Sequence, residues 1–229
     1  MNTAIVLSGG IGSRMGADQP KQYIMVRERP IISYCLEIFE KHEEIDHIVI
    51  VADEAWQAFI EEWLKKENIT KFFGFASAGR TRQHSIYNGL KVSKGCTPDE
   101  GVVIIHDAAR PLVSDQIISD CLHGAAEDGG AMPVITVKDT VYFSKDGASI
   151  DQLLDRSCLY AGQAPEAFRL GEYLAIHDAV SDEEIAATVG TSQIAYKHGM
   201  KVRLVKGSER NIKITTPEDL STFETILSE

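Results

Sequence analysis

What the chain lacks excludes several classes of protein. Its 229 residues include only 4 cysteines, which are widely spaced and form no C-x-x-C pair, so we expect a reducing compartment and no zinc site. No apolar run approaches the roughly 20 residues that a membrane-spanning helix needs. The N-terminus has no signal-peptide pattern, and we therefore expect a cytoplasmic protein without a membrane partner.

Positive charge is also scarce. The chain has 23 lysine and arginine residues against 34 acidic residues, a formal net charge of −11. This balance argues against nucleic acid or an anionic membrane as the main partner, and an anionic ligand would need a local cluster of cations. The composition, 44% apolar and 25% charged, is typical of globular proteins. We predict a single domain over residues 1–229.

The apolar pattern predicts an α/β fold. Strand-like runs and helical stripes alternate over about the first 135 residues, and the run 101–107 is apolar enough to be buried on both faces. This rhythm favours a doubly wound, mostly parallel, Rossmann-like sheet with right-handed crossovers. The predicted strands are 4–10, 47–53, 71–77, 101–107, 131–137, 201–207 and a last one from 211; the predicted helices are 30–42, 54–67, 81–93, 115–127, 170–180 and one that Thr216 caps before Pro217.

The alternation breaks after the fifth strand. Residues 137–156 form two extended runs around "SKDG", which is a hairpin turn signal. A hairpin inserted at this point either folds over the site or reaches another subunit. We predict a β-hairpin arm over about 138–160 that protrudes from the single domain.

Glycines and cations gather where the predicted strands end. "SGGIGSRMG" follows the first strand, but its spacing matches neither the dinucleotide fingerprint nor the P-loop. Ligand sites of open α/β sheets lie past the carboxyl ends of the strands, so the cations near those ends are expected to converge on a polyphosphate site. These cations are Arg14, Lys21, Arg80, Arg82, Arg110 and Lys213.

Taken singly, each of these residues also has an ordinary structural explanation. The glycines fit a plain turn, Asp107 fits a helix or turn cap, and Arg110 fits a surface salt bridge. Lys213 alternates with isoleucines as a solvent-facing strand residue would, and His106 is typical of a packed histidine. Met15 and Tyr23 are expected to pack under the loop.

Taken together, the motifs resemble one family. "LSGGIGSRMG", "PKQY", "AGRTRQHSIYNGLK", "IIHDAARPLV", "VKDT", "GQAP" and "NIKITTPEDL" occur in an order similar to that of the polyol-phosphate cytidylyltransferases, from residue 3 to about 220. That family includes the 2-C-methyl-D-erythritol 4-phosphate enzymes (IspD) and the ribitol-5-phosphate enzymes. The resemblance implies a nucleotidyltransferase fold. It also implies Mg²⁺-assisted attack of a phosphate monoester on the α-phosphate of CTP, with release of pyrophosphate.

The resemblance also implies residue roles. Arg14, Lys21 and Lys213 would be catalytic, and Asp107 is a candidate ligand for Mg²⁺ or another divalent cation that the CTP phosphates mainly hold. Thr140 and Arg156 on the arm would serve the partner subunit of a homodimer. The implied nucleotide-binding residues are Leu7, Ser8, Gly9, Gly10, Gly12, Gly79, Arg80 and Ser85, and the implied polyol-phosphate residues are Asp107, Arg110, Thr140 and Arg156.

Two stretches depart from the family pattern. "QAPE" (163–166) stands where the family usually has "QTPQ", and "TVGTSQ" (188–193) stands where it usually carries an acid. Both departures are expected on the acceptor side. We predict 2-C-methyl-D-erythritol 4-phosphate as acceptor, with ribitol 5-phosphate as the alternative. A sugar-phosphate nucleotidyltransferase and an inactive nucleotide-binding protein are further alternatives.

Overall fold

The computed structural model describes residues 1–10 and 19–229 of the chain. The strands are β1 (Asn2–Leu7), β2 (Met25–Val26), β3 (Arg29–Pro30), β4 (His47–Ala52), β5 (Phe72–Ser77), β6 (Val102–Asp107), β7 (Gly130–Thr136), β8 (Tyr142–Phe143), β9 (Gln152–Leu153), β10 (Tyr160–Gly162), β11 (Glu166–Arg169) and β12 (Val202–Lys206). The helices are α1 (Ile31–Lys41), α2 (Glu54–Lys66), α3 (Arg82–Ser93), α4 (Asp115–Asp128), α5 (Leu170–Ala179), α6 (Asp182–Ala187), α7 (Thr191–Lys197) and α8 (Pro217–Ile226). Short 3-10 helices cover Lys21–Tyr23 and Arg156–Cys158.

The central sheet is mostly parallel, as predicted. Its order is β10-β7-β11-β6-β1-β4-β5, and β12 pairs with β7. Parallel pairs join β1 to β4 and β6, β4 to β5, and β7 to β12. β11 runs antiparallel to both of its neighbours, β6 and β7. Every residue of β6 is buried, which agrees with the apolar pattern of that stretch.

Helices cover both faces of this sheet. Along β1, Ala4 and Val6 face the cluster built with α1, α2 and α4, whereas Ile5 faces the cluster built with α3, α5 and α7. Side chains of a strand alternate between the two faces, so each central strand contributes to both cores. Full burial of each large aliphatic side chain contributes about 2 kcal/mol, which makes the two cores the main source of stability.

Local signals in the sequence explain where several helices begin. The Asp53 side chain caps α2 by accepting from the N–H of Ala55 at 2.9 Å, so this acid has a structural role. Thr216 caps α8, with Pro217 at the first helical position, as predicted. No helix in the described residues has the length and apolar character needed to cross a membrane.

Two predictions for the C-terminal third were wrong or incomplete. Residues 211–215 form no strand; the Arg110 guanidinium donates to the Asn211 carbonyl at 2.6 Å, and the Ile214 N–H donates to the Ala109 carbonyl at 2.9 Å. These contacts hold the segment against the loop after β6 instead of in a ladder. Helices α6 and α7 were not predicted because each is short, with 6 and 7 residues.

The predicted hairpin arm is present as a separate two-stranded sheet. Tyr142 pairs with Leu153 and Phe143 pairs with Gln152. At the turn, the Asp146 carboxylate accepts from the backbone N–H groups of Ala148 and Ser149, and Gly147 has a φ of 71°. Tyr142, Phe143 and Leu153 are exposed, so the arm buries little apolar surface within its own chain.

Candidate active site

The loop after β1 forms the first wall of the site. The Ser8 N–H donates to the Val51 carbonyl at 2.7 Å, which fixes the loop to the neighbouring strand β4. A Cβ at Gly9 would lie 2.6 Å from the Cβ of Ala78, so glycine allows this loop to approach the loop after β5. Gly12, Arg14 and Met15 lie outside the described residues, and their predicted roles stay predictions.

The 3-10 helix Lys21–Tyr23 supports that loop from inside. The buried Gln22 amide donates to the carbonyl of Ser8 at 2.6 Å and to that of Gly10 at 2.9 Å. The Tyr23 hydroxyl bonds Ser8, and its ring stacks on Trp56 with centroids 4.3 Å apart, in line with its predicted packing role. Lys21, in the same short helix, lines the cavity described below.

The second wall is the loop between β5 and α3. The Gly79 N–H donates to the Ser85 hydroxyl at 2.9 Å, and a Cβ at Gly79 would lie 2.7 Å from the Ser85 nitrogen. Thr81 caps α3, and both Thr81 and Arg82, the first residue of this helix, line the cavity. Arg80 lines the cavity from this loop and forms an ion pair with Asp182 of α6.

The third wall centres on Asp107 at the carboxyl end of β6, where it pairs with Leu7 of β1. Its Oδ1 lies 3.1 Å from an Arg82 guanidinium nitrogen, and its Oδ2 lies 2.8 Å from the Lys213 ammonium. The Nε of Arg110 lies 3.7 Å from the same Oδ2. Three cations from distant parts of the sequence thus surround one nearly buried carboxylate.

The cations set the protonation state of this carboxylate. Burial alone would raise the pKa of Asp107, but Arg82, Lys213 and Arg110 overcome that effect and hold the pKa well below its usual range. Burial lowers the pKa of His106 to about 4, so this histidine is neutral near pH 7. His106 bonds the Arg110 carbonyl at 2.9 Å and has a packing role, as its sequence context indicated.

These walls enclose a cavity of about 480 Å³. Most of the predicted site residues in the described ranges line it. Ser8 and Arg110 do not line the cavity, but their hydrogen bonds given above hold its walls in place. The lining residues are Leu7, Gly9, Gly10, Lys21, Gln22, Gly79, Arg80, Thr81, Arg82, Ser85, Asp107, Ala108, Ala109, Lys213 and Thr215.

The two predicted residues of the arm lie elsewhere. Thr140 and Arg156 are exposed, and neither lines the cavity of its own chain. The Arg156 guanidinium donates to the Lys138 carbonyl at 2.6 Å, at the base of the arm. Within one chain the structure therefore does not bring these residues to the other predicted site residues.

Sequence reasoning left six lining residues out of the site: Gln22, Thr81, Arg82, Ala108, Ala109 and Thr215. Gln22 lies in the "PKQY" motif, but only its buried contacts with the glycine loop reveal its function. Arg82 was recognised as a converging cation and not as a site residue. Thr215 follows Lys213 by two residues, and a strand interpretation of this segment gave it no role.

The described residues offer no protein-built metal site. They contain no group of three or more histidine, cysteine, aspartate or glutamate side chains arranged to hold a metal ion. A divalent cation at Asp107 would also have to displace Arg82 or Lys213 from its oxygens. The geometry therefore does not fit Asp107 as a metal ligand.

The fold and this cavity are together those of an α/β nucleotidyltransferase. The family model described as IspD, 2-C-methyl-D-erythritol 4-phosphate cytidylyltransferase, matches residues 2–229. The chain belongs to the IspD family and is a cytidylyltransferase.

Its relatives carry two different names. A ribitol-5-phosphate cytidylyltransferase of Lacticaseibacillus paracasei is 36% identical over 236 residues, which cover 100% of this chain and 99% of the relative. A 2-C-methyl-D-erythritol 4-phosphate cytidylyltransferase of Geobacillus kaustophilus is 38% identical over 98% of this chain and 96% of the relative. A solved 4-diphosphocytidyl-2C-methyl-D-erythritol synthase from Anaerococcus prevotii has a TM-score of 0.83 at 25% identity and covers 100% of this chain and 96% of that one.

Proposed function

We propose that this enzyme transfers CMP from CTP to the phosphate group of 2-C-methyl-D-erythritol 4-phosphate and releases pyrophosphate. The observation that carries the proposal is one cavity that joins a glycine-lined loop to the three cations around Asp107. The glycine-lined loop suits a nucleoside triphosphate, and the cations around Asp107 suit the phosphate of an acceptor. The family match supports the reaction class.

The nucleotide is assigned to the first two walls. Backbone N–H groups of a glycine loop can approach phosphate oxygens closely and donate to them. Lys21 adds positive charge on the same side, and Arg14 is assigned there from the family resemblance. The base is assigned to Gly79, Arg80 and Ser85, in a loop that the bond from the Gly79 N–H to the Ser85 hydroxyl fixes, and a fixed loop presents its polar groups in set positions. Such a pocket discriminates between bases because a wrong base leaves buried groups unpaired.

The acceptor is assigned to the third wall. An ammonium group has three N–H donors, so Lys213 can bind Asp107 and a phosphate oxygen together. A phosphate monoester has lost its second proton at pH 7, since that pKa is about 6, and needs no general base. One of its oxygens forms a bond to the α-phosphorus of CTP as the α–β bridge breaks, and pyrophosphate leaves with that bridging oxygen.

Catalysis then depends on alignment and electrostatics. Negative charge grows on the leaving pyrophosphate and on the α-phosphate oxygens, and fixed cations stabilise it without reorganising. We assign this role to Lys21 and Arg14. A divalent cation is proposed to arrive with the CTP phosphates, since the described side chains form no site for it.

Ribitol 5-phosphate is the second candidate acceptor. The Lacticaseibacillus paracasei relative with that name aligns over the whole of this chain. Both acceptors present a phosphate monoester on a polyol, so the same three cations suit either. The hydroxyl pattern of the polyol is what distinguishes them.

We also propose that two chains form a homodimer by exchanging arms. A two-stranded hairpin is marginally stable alone in water, and this one exposes Tyr142, Phe143 and Leu153. A second copy of the chain would bury these side chains. The exchange would also bring the partner's arm, with its arginine and threonine, to a cavity that the arm of the same chain does not line.

The test is an assay of pyrophosphate release with each of the four nucleoside triphosphates and both acceptors, with Mg²⁺ or with EDTA. We expect turnover with CTP and 2-C-methyl-D-erythritol 4-phosphate, lost in EDTA. A higher kcat/KM with ribitol 5-phosphate would identify that compound as the acceptor instead. Comparable turnover with UTP or GTP would contradict the proposed nucleotide.

A further inference from the structure

The two stretches that depart from the family pattern meet beside the cavity. Glu166, at the start of β11, is buried, and its Oε2 accepts from the Ser192 N–H at 2.8 Å and from the Ser192 hydroxyl. Glu166 belongs to "QAPE" and Ser192 belongs to "TVGTSQ". The new carboxylate of the first stretch therefore binds the second stretch, which lacks the family's acid.

This contact leads to a cation of the site. Thr191, next to Ser192 and fully buried, accepts from one Arg82 guanidinium nitrogen through its hydroxyl. Another Arg82 nitrogen binds Asp107 Oδ1 at 3.1 Å. The Tyr173 hydroxyl holds the Thr191 carbonyl at 2.9 Å. Arg82 is thus held between Asp107 and the segment 188–193, which Glu166 binds through Ser192.

Charge provides a second connection. Burial would lower the pKa of Arg82, but Asp107 and then Glu166 outweigh it and raise that pKa. Burial lowers the pKa of Arg110, the second arginine near Asp107, and Asp107 and Glu166 act against that shift.

We propose that Glu166 is a positioning residue that acts through Ser192 and Thr191 to hold Arg82 against Asp107, and that it thereby determines affinity for the acceptor phosphate. The inference rests on the proposed function, because it takes the Asp107 wall as the acceptor side. Glu166 does not line the cavity, so we expect Glu166 to affect binding of the acceptor through Arg82, which does.

The test compares Glu166→Gln with the matched exposed control Glu172→Gln. The amide oxygen of glutamine can still accept from Ser192 but lacks the charge that strengthens both bonds, so the variant weakens the hold on Ser192 and keeps the packing. We expect KM for the acceptor to rise about tenfold, with KM for CTP and kcat within about twofold of wild type. Glu172→Gln should match wild type in all three constants.

A rescue variant separates positioning from simple stability. Thr191→Asp places an acid at the first residue of α7, in contact with Arg82, where a helix N-terminus favours it. In the double variant Glu166→Gln/Thr191→Asp we expect acceptor KM within about threefold of wild type. Thr191→Val removes only the hydroxyl that Arg82 binds, and it should raise acceptor KM as Glu166→Gln does. If Glu166→Gln does not fold, Thr191→Val tests the inference in its place.

The outcomes are distinguishable. An unchanged acceptor KM in Glu166→Gln and Thr191→Val, equal rises in both KM values, or a double variant no better than Glu166→Gln would each overturn the inference while the proposed function stands. A wild-type chain that releases no pyrophosphate from CTP with either acceptor would overturn the proposed function and the inference with it.

Discussion

At the scale of single residues, the site depends on cations that buried side chains hold in place. Asp107 holds Lys213 at 2.8 Å and Arg82 at 3.1 Å, and Gln22 holds the glycine loop through two carbonyls. In a chain of net charge −11 these local arrangements create a positive cavity for phosphates. Changes at single positions should therefore affect catalysis and stability separately.

Replacement of Lys21 by alanine tests the electrostatic part of the mechanism. Loss of one preorganised cation beside the reacting phosphates should lower kcat by about 100-fold. Steady-state kinetics measure this, with the exposed Lys65→Ala as a control that should keep wild-type kcat. The circular dichroism spectrum should be unchanged in both variants. A Lys21→Ala enzyme with normal kcat would remove this residue from the mechanism.

Asp107→Asn tests the buried charge cluster through its pH dependence. A free aspartate has a pKa near 3.9, and the cations hold the pKa of Asp107 below that in the folded state. Ionised Asp107 therefore stabilises the fold fully above about pH 4, and this contribution is lost as the pH falls further.

Urea unfolding of both forms at pH 7, 5 and 3 measures this contribution. We expect wild type to exceed Asp107→Asn by about 3 kcal/mol at pH 7, with a smaller difference at pH 3. Asp120→Asn, a half-buried position on α4 outside the site, serves as the control. A difference that stays constant across the three pH values would contradict the assigned pKa shift.

At the scale of elements, the N-terminus of α3 and its preceding loop form the wall to which we assign the base of CTP. Gly79→Ala places a Cβ 2.7 Å from the Ser85 nitrogen, so the loop must move. Overpacking of this kind costs about 1–3 kcal/mol. We expect KM for CTP to rise about tenfold. The matched control is Gly74→Ala on β5, where a Cβ would have no atom within 4 Å and KM should not change.

The same element scale shows which segments the sequence predicts well. Strand β6 and helix α2 follow from burial periodicity and the Asp53 cap, because both signals are local. The segment 211–215 alternates like a strand, yet its partners are the loop residues Ala109 and Arg110, not a neighbouring strand. The local pattern cannot distinguish these cases, because an alternation of apolar and polar residues does not show whether the backbone will bond to a strand or to a loop.

At the scale of the whole molecule, the proposed dimer predicts that each active site needs residues of two chains. If arms are exchanged, a site uses Lys213 of one chain and the arginine of the partner's arm. Arg156→Ala and Lys213→Ala should each lower activity, and Arg156→Ala should raise acceptor KM with CTP binding unchanged. Mixed dimers contain one site with both residues intact, so mixing the two variants should restore about a quarter of the sites in a statistical mixture.

The measurement needs a control for subunit exchange. Differently tagged chains show by pull-down whether mixed dimers form, and mixing Arg156→Ala with itself should restore nothing. Mixed dimers without any gain in activity would mean that Arg156 acts within its own chain or has no part in the site. Arg210→Ala, an exposed arginine that pairs with Glu229, should keep wild-type activity alone and in mixtures.

The sequence alone determined the order of the main strands and helices up to β7, the arm and the cations near the strand ends, because helix caps, periodicity and turn residues act over a few positions. Only the tertiary structure decided that β11 runs antiparallel and that Arg82 and Lys213 share the oxygens of Asp107. It alone also placed Glu166 on Ser192. These contacts join residues 25 to 106 positions apart, and they form only when the packed sheet brings the ends of its strands together.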